Sequence, residues 1–295
     1  MSASTRALAG GFAVCAAVVS SAQPPTYETG TQVVRIVATV TDEEKRLVSD
    51  LSAEDFDVFD EGRAQRVTLF RHDSVPITVV VMLDTSASMT LNLDNLREAA
   101  EQFVIRLMPG DRARLCVFND KIQFRPATFT SDRDELVRHV READYGNGTR
   151  LYDALADSLD ALRDVEGRRV ILVFSDGGDG DSRTSFGKIV HRAQLDAVMV
   201  YAIGYSSRWF DGDKMVQAAP DPRLPQLASE MGGGYFELKR SRDLPSTFTR
   251  VEKELHSQYV LGFAPTVRDG RVHKLEVRAK RKDLRVRARR SYVAE

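Results

Sequence analysis

Hydrophobic residues change their rhythm twice along this chain. Between positions 31 and 71 they fall in short runs: the β-branched stretch 33–40, then 56–59 and 66–70, with Asp60-Glu61-Gly62 between the last two. Such runs bounded by turn residues predict strands. Ser52-Ala53-Glu54-Asp55 carries a helix-start signal and predicts a single turn. From Ile77 to Leu83 every residue but Thr78 is apolar, the pattern of a strand covered on both faces of a parallel sheet. Helical and strand periods then alternate. Helices are predicted over 93–108, 132–142, 150–165, 183–194, 222–231 and 242–256, and strands over 112–118, 121–125, 169–175, 197–203 and 234–238. This alternation predicts an α/β fold with a doubly wound, mostly parallel sheet. Beyond Ser257 strand texture returns over 258–263, 272–279 and 284–292, with Asp269-Gly270 as a hairpin turn.

The first 22 residues follow neither rhythm. Arg6 precedes an apolar run from Ala7 to Val19, and Ser20-Ser21-Ala22 supplies small residues before Gln23-Pro24-Pro25. This is the layout of a secretory signal cut after Ala22, so the mature protein is expected to be exported, to the periplasm or beyond. The run is too short for a membrane span, and no other segment is long enough to cross one. Cleavage would remove Cys15 and leave Cys116, in an apolar stretch, as a core thiol. The expected organisation is a signal at 1–22, an N-terminal β-rich flank at 23–73, an α/β domain at 74–256, and a C-terminal β-rich flank at 257–295. Each flank offers too few strands for a core alone, so the two are expected to pack as one small sandwich.

Charge narrows the function classes. The chain has 295 residues, with 42 Lys and Arg against 43 Asp and Glu, a balance that excludes a polybasic nucleic-acid binder. Two cysteines are too few for a disulfide framework or a cysteine zinc site. Chemistry concentrates instead where the apolar strand ends, in Asp84-Thr85-Ser86-Ala87-Ser88. Ligands of open α/β sheets bind outside the carboxyl ends of strands. One carboxylate and two hydroxyls make a hard oxygen site, suited to Mg²⁺ or Mn²⁺. Alone, the same residues also read as a helix cap.

Two further stretches join it. Gly146-Asn147-Gly148-Thr149 opens a helix with a threonine in a glycine-rich loop, and the apolar strand 170–174 runs into Ser175-Asp176-Gly177-Gly178. Together the three resemble the von Willebrand factor type A domain and its metal-ion-dependent adhesion site, over about residues 74–255. The flanking segments 47–58, 258–263 and 273–277 make the chain similar to the exported, acidobacterial-type proteins related to that family. The resemblance implies a Rossmann-like fold in which Asp84, Ser86, Ser88, Thr149 and Asp176 surround one divalent cation, Mg²⁺ or Mn²⁺. It further implies a partner protein that fills an open coordination position with a Glu or Asp carboxylate. Ala87 departs from the glycine common at that place. The alternative is a structural or envelope assembly factor whose metal is only stabilising.

Other features carry less. Asp176 to Asp181 has the look of a calcium loop but lacks the distal Glu of an EF-hand, and is expected to cap the helix that follows. The five histidines are scattered without a zinc pair, and no nucleophile elbow is present, so an enzyme is not expected. The segment Tyr205 to Asp221 follows a strand and should share the metal's rim. It holds the sole tryptophan, Trp209, beside Phe210, and these two either tuck onto the body or anchor a partner. Alternation places Arg285, Arg287 and Arg289 on one strand face, expected to be solvated, the alternative being attraction to anionic envelope polymers or lipids.

Overall fold

The computed structural model describes residues 33–72, 75–176, 178–210, 212–238 and 240–294. The expected signal at 1–22 and the stretch 23–32 lie outside the described residues. In chain order the first flank carries β1 (Val34–Thr41), β2 (Phe56–Asp60), β3 (Arg63–Gln65) and β4 (Leu69–Arg71). The centre carries β5 (Ile77–Asp84), α1 (Leu93–Ile105), β6 (Arg112–Phe118), β7 (Ile122–Thr130), α2 (Arg133–Arg141), α3 (Leu151–Leu162) and β8 (Arg168–Ser175). It continues with α4 (Phe186–Leu195), β9 (Met199–Tyr205), β10 (Ser207–Phe210), β11 (Met215–Ala218), α5 (Leu224–Glu230), β12 (Tyr235–Leu238) and α6 (Leu244–His256). The last flank adds β13 (Tyr259–Phe263), β14 (Val272–Ala279), β15 (Arg285–Arg287) and β16 (Ser291–Val293).

The central sheet runs β12-β9-β8-β5-β6-β7, parallel except for β7, which pairs antiparallel with β6 at one edge. β5 lies between β8 and β6 and is buried at every residue, which is why its sequence shows no alternation. Its side chains nevertheless divide by period two. Val79, Val81 and Leu83 pack with Leu96, Phe103 and Phe248 on one face, while Val80 and Met82 meet Leu155, Leu159 and Leu227 on the other. Helices α1, α2 and α6 therefore cover one face, and α3, α4 and α5 the other. Cys116 is fully buried, and burial pushes its thiol up to about 12.

The flank strands form two four-stranded sheets, β15-β1-β13-β4 and β16-β14-β2-β3, enclosing a core of Ile36, Val40, Phe56, Tyr259, Leu261 and Phe263. β1 pairs with β13 and β15, β4 with β13, and β2 with β14, so N- and C-terminal strands interleave. Residues 32–295 make one compact unit.

Several boundaries differ from expectation. The run 284–292 is two strands, because β15 joins β1 in one sheet and β16 joins β14 in the other. Asp269-Gly270 is not a hairpin turn: Gly270 does take a positive φ of 70°, but β13 and β14 lie in different sheets. Asp60-Glu61-Gly62 does turn a hairpin, with positive φ at Glu61 and Gly62 between the paired Asp60 and Arg63. The segment expected as a loop after Tyr205 folds into the antiparallel β10–β11 hairpin. Strand β7 passes through Pro126 to Thr130, which an edge position tolerates.

Candidate metal centre

β5 and β8 are neighbours in the sheet and end together, which brings Asp84 and Ser175 side by side. Ser175 Oγ donates to Asp84 Oδ2 at 2.6 Å, and the Ser86 backbone N–H donates to Asp84 Oδ1 at 3.0 Å. After the turn, the chain enters a 3-10 stretch, Ala87–Asn92, that returns Ser88 to the same point. Ser88 Oγ donates to Asp176 Oδ1 at 2.8 Å, and the Ser86 and Ser88 hydroxyls share a hydrogen bond of 3.2 Å. Hydrogen bonds thus join Ser86 and Ser88 to both carboxylates, and Asp84 and Asp176 are fully buried. Burial, then the charge of Asp176, push the Asp84 carboxyl up to about 7.

The glycine-rich loop docks on this turn through its backbone. Gly146 N–H donates to Thr85 O at 2.9 Å, and Ala87 N–H to Asn147 O at 3.5 Å. Asn119 Nδ2 donates to Thr85 Oγ1 at 3.0 Å and braces the turn from the end of β6. A side chain on either loop glycine would force a neighbouring side chain to move. A Cβ at Gly146 would stand 2.4 Å from Asn119 and Asp120 atoms, and one at Gly148 only 2.0 Å from Asp181 Oδ2. Thr149 is held by its backbone: its carbonyl accepts from Gly180 and Asp181 N–H at 3.1 Å, and its N–H donates to Asp181 Oδ2 at 3.2 Å. Its side chain makes no hydrogen bond to the other four among the described residues.

The acidic loop 176–181 does cap a helix, but not the one that follows it. Asp179 Oδ1 accepts the Tyr152 N–H at 3.0 Å, and Asp181 accepts that of Thr149, so both serve the start of α3. Asp153, unremarked in the sequence, accepts the backbone N–H groups of Arg183 and Thr184 and a 2.8 Å ion pair from Arg150. Burial opposes its charge, but these hydrogen bonds prevail and hold it at about 2. Ser175 was missed as well. Its only signal was a hydroxyl directly before Asp176 at the end of an apolar strand.

The β10–β11 hairpin packs against the 3-10 stretch that carries Ser88, and Tyr205 Oη donates to Asn92 Oδ1 at 3.3 Å. Phe210 and Met215 face each other across the hairpin, each 58% exposed, and Leu91 on the 3-10 stretch is also exposed. The Trp209 side chain lies outside the described residues; its backbone belongs to β10.

The donors at the strand ends are two carboxylates and hydroxyl groups, all hard oxygen, as Mg²⁺ or Mn²⁺ would need. Among the described residues, no three His, Cys, Asp or Glu side chains cluster as a metal cage. The family model of the von Willebrand factor type A domain matches residues 78–250, more than half of the chain. The chain belongs to the von Willebrand factor type A family. Solved structures share this type A fold. A von Willebrand factor type A protein from Catenulispora acidiphila is 12% identical over 91% of this chain and 74% of its own, with a TM-score of 0.53. An aerotolerance-related membrane protein from Bacteroides fragilis NCTC 9343 is 17% identical over 61% and 98%, with a TM-score of 0.50. Proximal thread matrix protein 1 from the mussel byssus, solved with a zinc-occupied MIDAS motif, is 15% identical over 65% and 48%, with a TM-score of 0.52. At such identities the likeness is one of fold. No curated protein matches the chain.

Proposed function

We propose that this type A protein is an exported, non-enzymatic adhesion module that binds a partner protein through one divalent cation. Asp84, Ser86, Ser88, Thr149 and Asp176 would hold the cation. The observation that carries the reading is the convergence of Ser86 and Ser88 on two fully buried carboxylates at the mouth of the sheet. Two buried carboxylates side by side are costly unless a cation balances them. When bound, the cation supplies a positive charge and a free position for a Glu or Asp carboxylate of the partner. Ser175 holds the Asp84 carboxylate in place through its hydroxyl. Backbone docking of the glycine loop on the Thr85–Ala87 turn supports Thr149 as a further donor. Packing of the β10–β11 hairpin on the 3-10 stretch supports Phe210, with Trp209 beside it in sequence, as a partner contact. Hard donors favour Mg²⁺ or Mn²⁺, while the mussel protein of the same fold was solved with zinc. Export rests on the signal layout of residues 1–22. No helix among the described residues is long and apolar enough to cross a membrane.

The test is calorimetric titration with Mg²⁺, Mn²⁺ and Zn²⁺, followed by capture of partners from envelope extract with and without EDTA. Asp84→Ala and Asp176→Ala should each abolish binding of the preferred cation while circular dichroism stays unchanged. Thr149→Ala should weaken capture. Undiminished cation affinity in both aspartate variants would remove the site. A partner retained in EDTA would favour the assembly-factor reading, with the metal only stabilising.

A further inference from the structure

A cavity of about 920 Å³ opens at the other end of the central sheet. Arg168 and Arg169, which begin β8, line it, whereas Asp176 follows the end of that strand. Eight strand residues put roughly 25 Å between the two sites. The opposite wall is the outer face of the flank sheet. Alternation turns Ile36 and Ala38 into the sandwich core and Arg35 and Val37 out toward the cavity, and on β4 it does the same with Leu69 and Arg71. Arg289 lines the cavity between β15 and β16, its backbone fixed by a bridge to Met231.

The charge of this cavity is one-sided. Five arginines line it (35, 71, 168, 169 and 289) against one acid, Glu166. None of the five forms an ion pair among the described residues, although Arg287, two residues before Arg289, pairs with the buried Glu254. Arg168 and Arg169 do have structural work. Arg168 donates to the carbonyls of Val75 at 2.9 Å and Leu255 at 2.7 Å, and Arg169 donates to that of Asp196. Among the described residues Arg289 donates only to the Arg35 carbonyl, at 2.8 Å, and its buried Nε has no hydrogen-bond partner. Burial lowers its pKa, Tyr292 opposes this, and Arg169 adds repulsion, leaving it at about 10. Arg35 and Arg71 have no side-chain partner among the described residues. Val37, Leu69, Val170, Met199 and Val260 add apolar surface to the same walls, alongside Gln194 and Ser291.

Uncompensated cations beside apolar walls, in a cavity of ligand size, define a class of guest. We infer that this cavity binds a small amphiphilic anion, its carboxylate or phosphate head on Arg35, Arg71 and Arg289 and its apolar body along Val37, Leu69 and Val260. The site is independent of the metal centre. Because its walls come from both the α/β centre and the flank sandwich, an occupant ties the two together and should raise the melting temperature.

Calorimetry on the purified chain at low salt, with octyl phosphate, octanoate, inorganic phosphate and octanol below micelle concentrations, tests the inference. At least one amphiphilic anion should bind one per chain, with octanol and inorganic phosphate at least tenfold weaker. Preference between octyl phosphate and octanoate identifies the head group. Arg35→Ala and Arg71→Ala, both at exposed positions, should each weaken binding at least fivefold without changing the melting temperature of the free protein. Arg289→Gln should weaken it more, and Arg285→Ala, on the exposed part of the same segment, should leave it unchanged. The inference is overturned if neither anion binds at unit stoichiometry, if octanol or inorganic phosphate binds as tightly, or if the Arg35 and Arg71 variants retain full affinity.

Discussion

Gly233 shows how far a single residue can be ruled by a distant neighbour. It precedes β12, where the chain runs in beside β9, and a Cβ there would stand 1.9 Å from the Val200 carbonyl oxygen. Backbone cannot yield as a flexible side chain can, so Gly233→Ala should cost about 3 kcal/mol in urea unfolding. Gly187, near the start of α4, has open space where its Cβ would be. Gly187→Ala should therefore stabilise by roughly 0.5–1 kcal/mol in the same experiment. Equal effects of the two substitutions would contradict this reading of the backbone. The glycines at 146 and 148 were legible as a loop, but the reason for each, an Asn119 or Asp181 side chain in the way, was not.

At the scale of elements, α6 is locked to the start of β6 by a charged pair. His256 Nε2 lies 2.8 Å from Asp111 Oδ2, and Asp111 also accepts the N–H groups of Ile77 and Met108. Burial lowers the His256 pKa, but the Asp111 hydrogen bond and charge overcome it and the net shift is upward from 6.5. Burial likewise raises Asp111, and His256 with the two N–H donors brings it below 3.8. A raised histidine contributes stability that is complete below its unfolded pKa and is lost as pH rises through the folded value. A lowered aspartate contributes stability present above its unfolded pKa and lost as pH falls through the folded value. The two contributions overlap between about pH 4 and 6.5. His256→Asn should therefore cost most near pH 5.5 and least at pH 9, as read by urea unfolding at each pH. A cost that grows with pH would refute the assignment. The basic strand teaches a related lesson. Period two correctly grouped Arg285, Arg287 and Arg289, yet the expected solvated face was wrong for two of them. Arg287 turns onto buried Glu254 and Tyr201, and Arg289 onto the cavity, because β15 and its continuation run along the α/β centre.

For the whole molecule the telling element is β13, the strand that bonds to both β1 and β4. Deleting residues 258–295 removes it together with β14, the partner of β2. Ile36, Ala38, Val40, Phe56 and Val58 would then lose the side chains that bury them. Limited proteolysis of the truncated chain should cut within residues 34–71, while binding of divalent cations at the site proposed for the far end of the central sheet should persist. Protection of 34–71 in the truncated chain would mean that the flanks fold separately.

What the sequence alone determined is what short-range pattern encodes. The apolar runs of β5, broken only at Thr78, and of β8 marked a buried parallel sheet, and the loops at their ends marked Asp84, Ser86, Ser88 and Asp176, four residues that hydrogen bonds connect into one cluster. Thr149 was expected from its glycine loop, and among the described residues only its backbone is seen to be held there. Only the tertiary structure decided that Ser175 orients Asp84, that Asp179 and Asp181 cap α3, that the segment after Tyr205 is a hairpin, and that run 284–292 divides between two sheets. Each of those outcomes depends on a partner outside the local pattern. A strand's period says which residues share a face, but what that face meets is fixed by pairing across the fold.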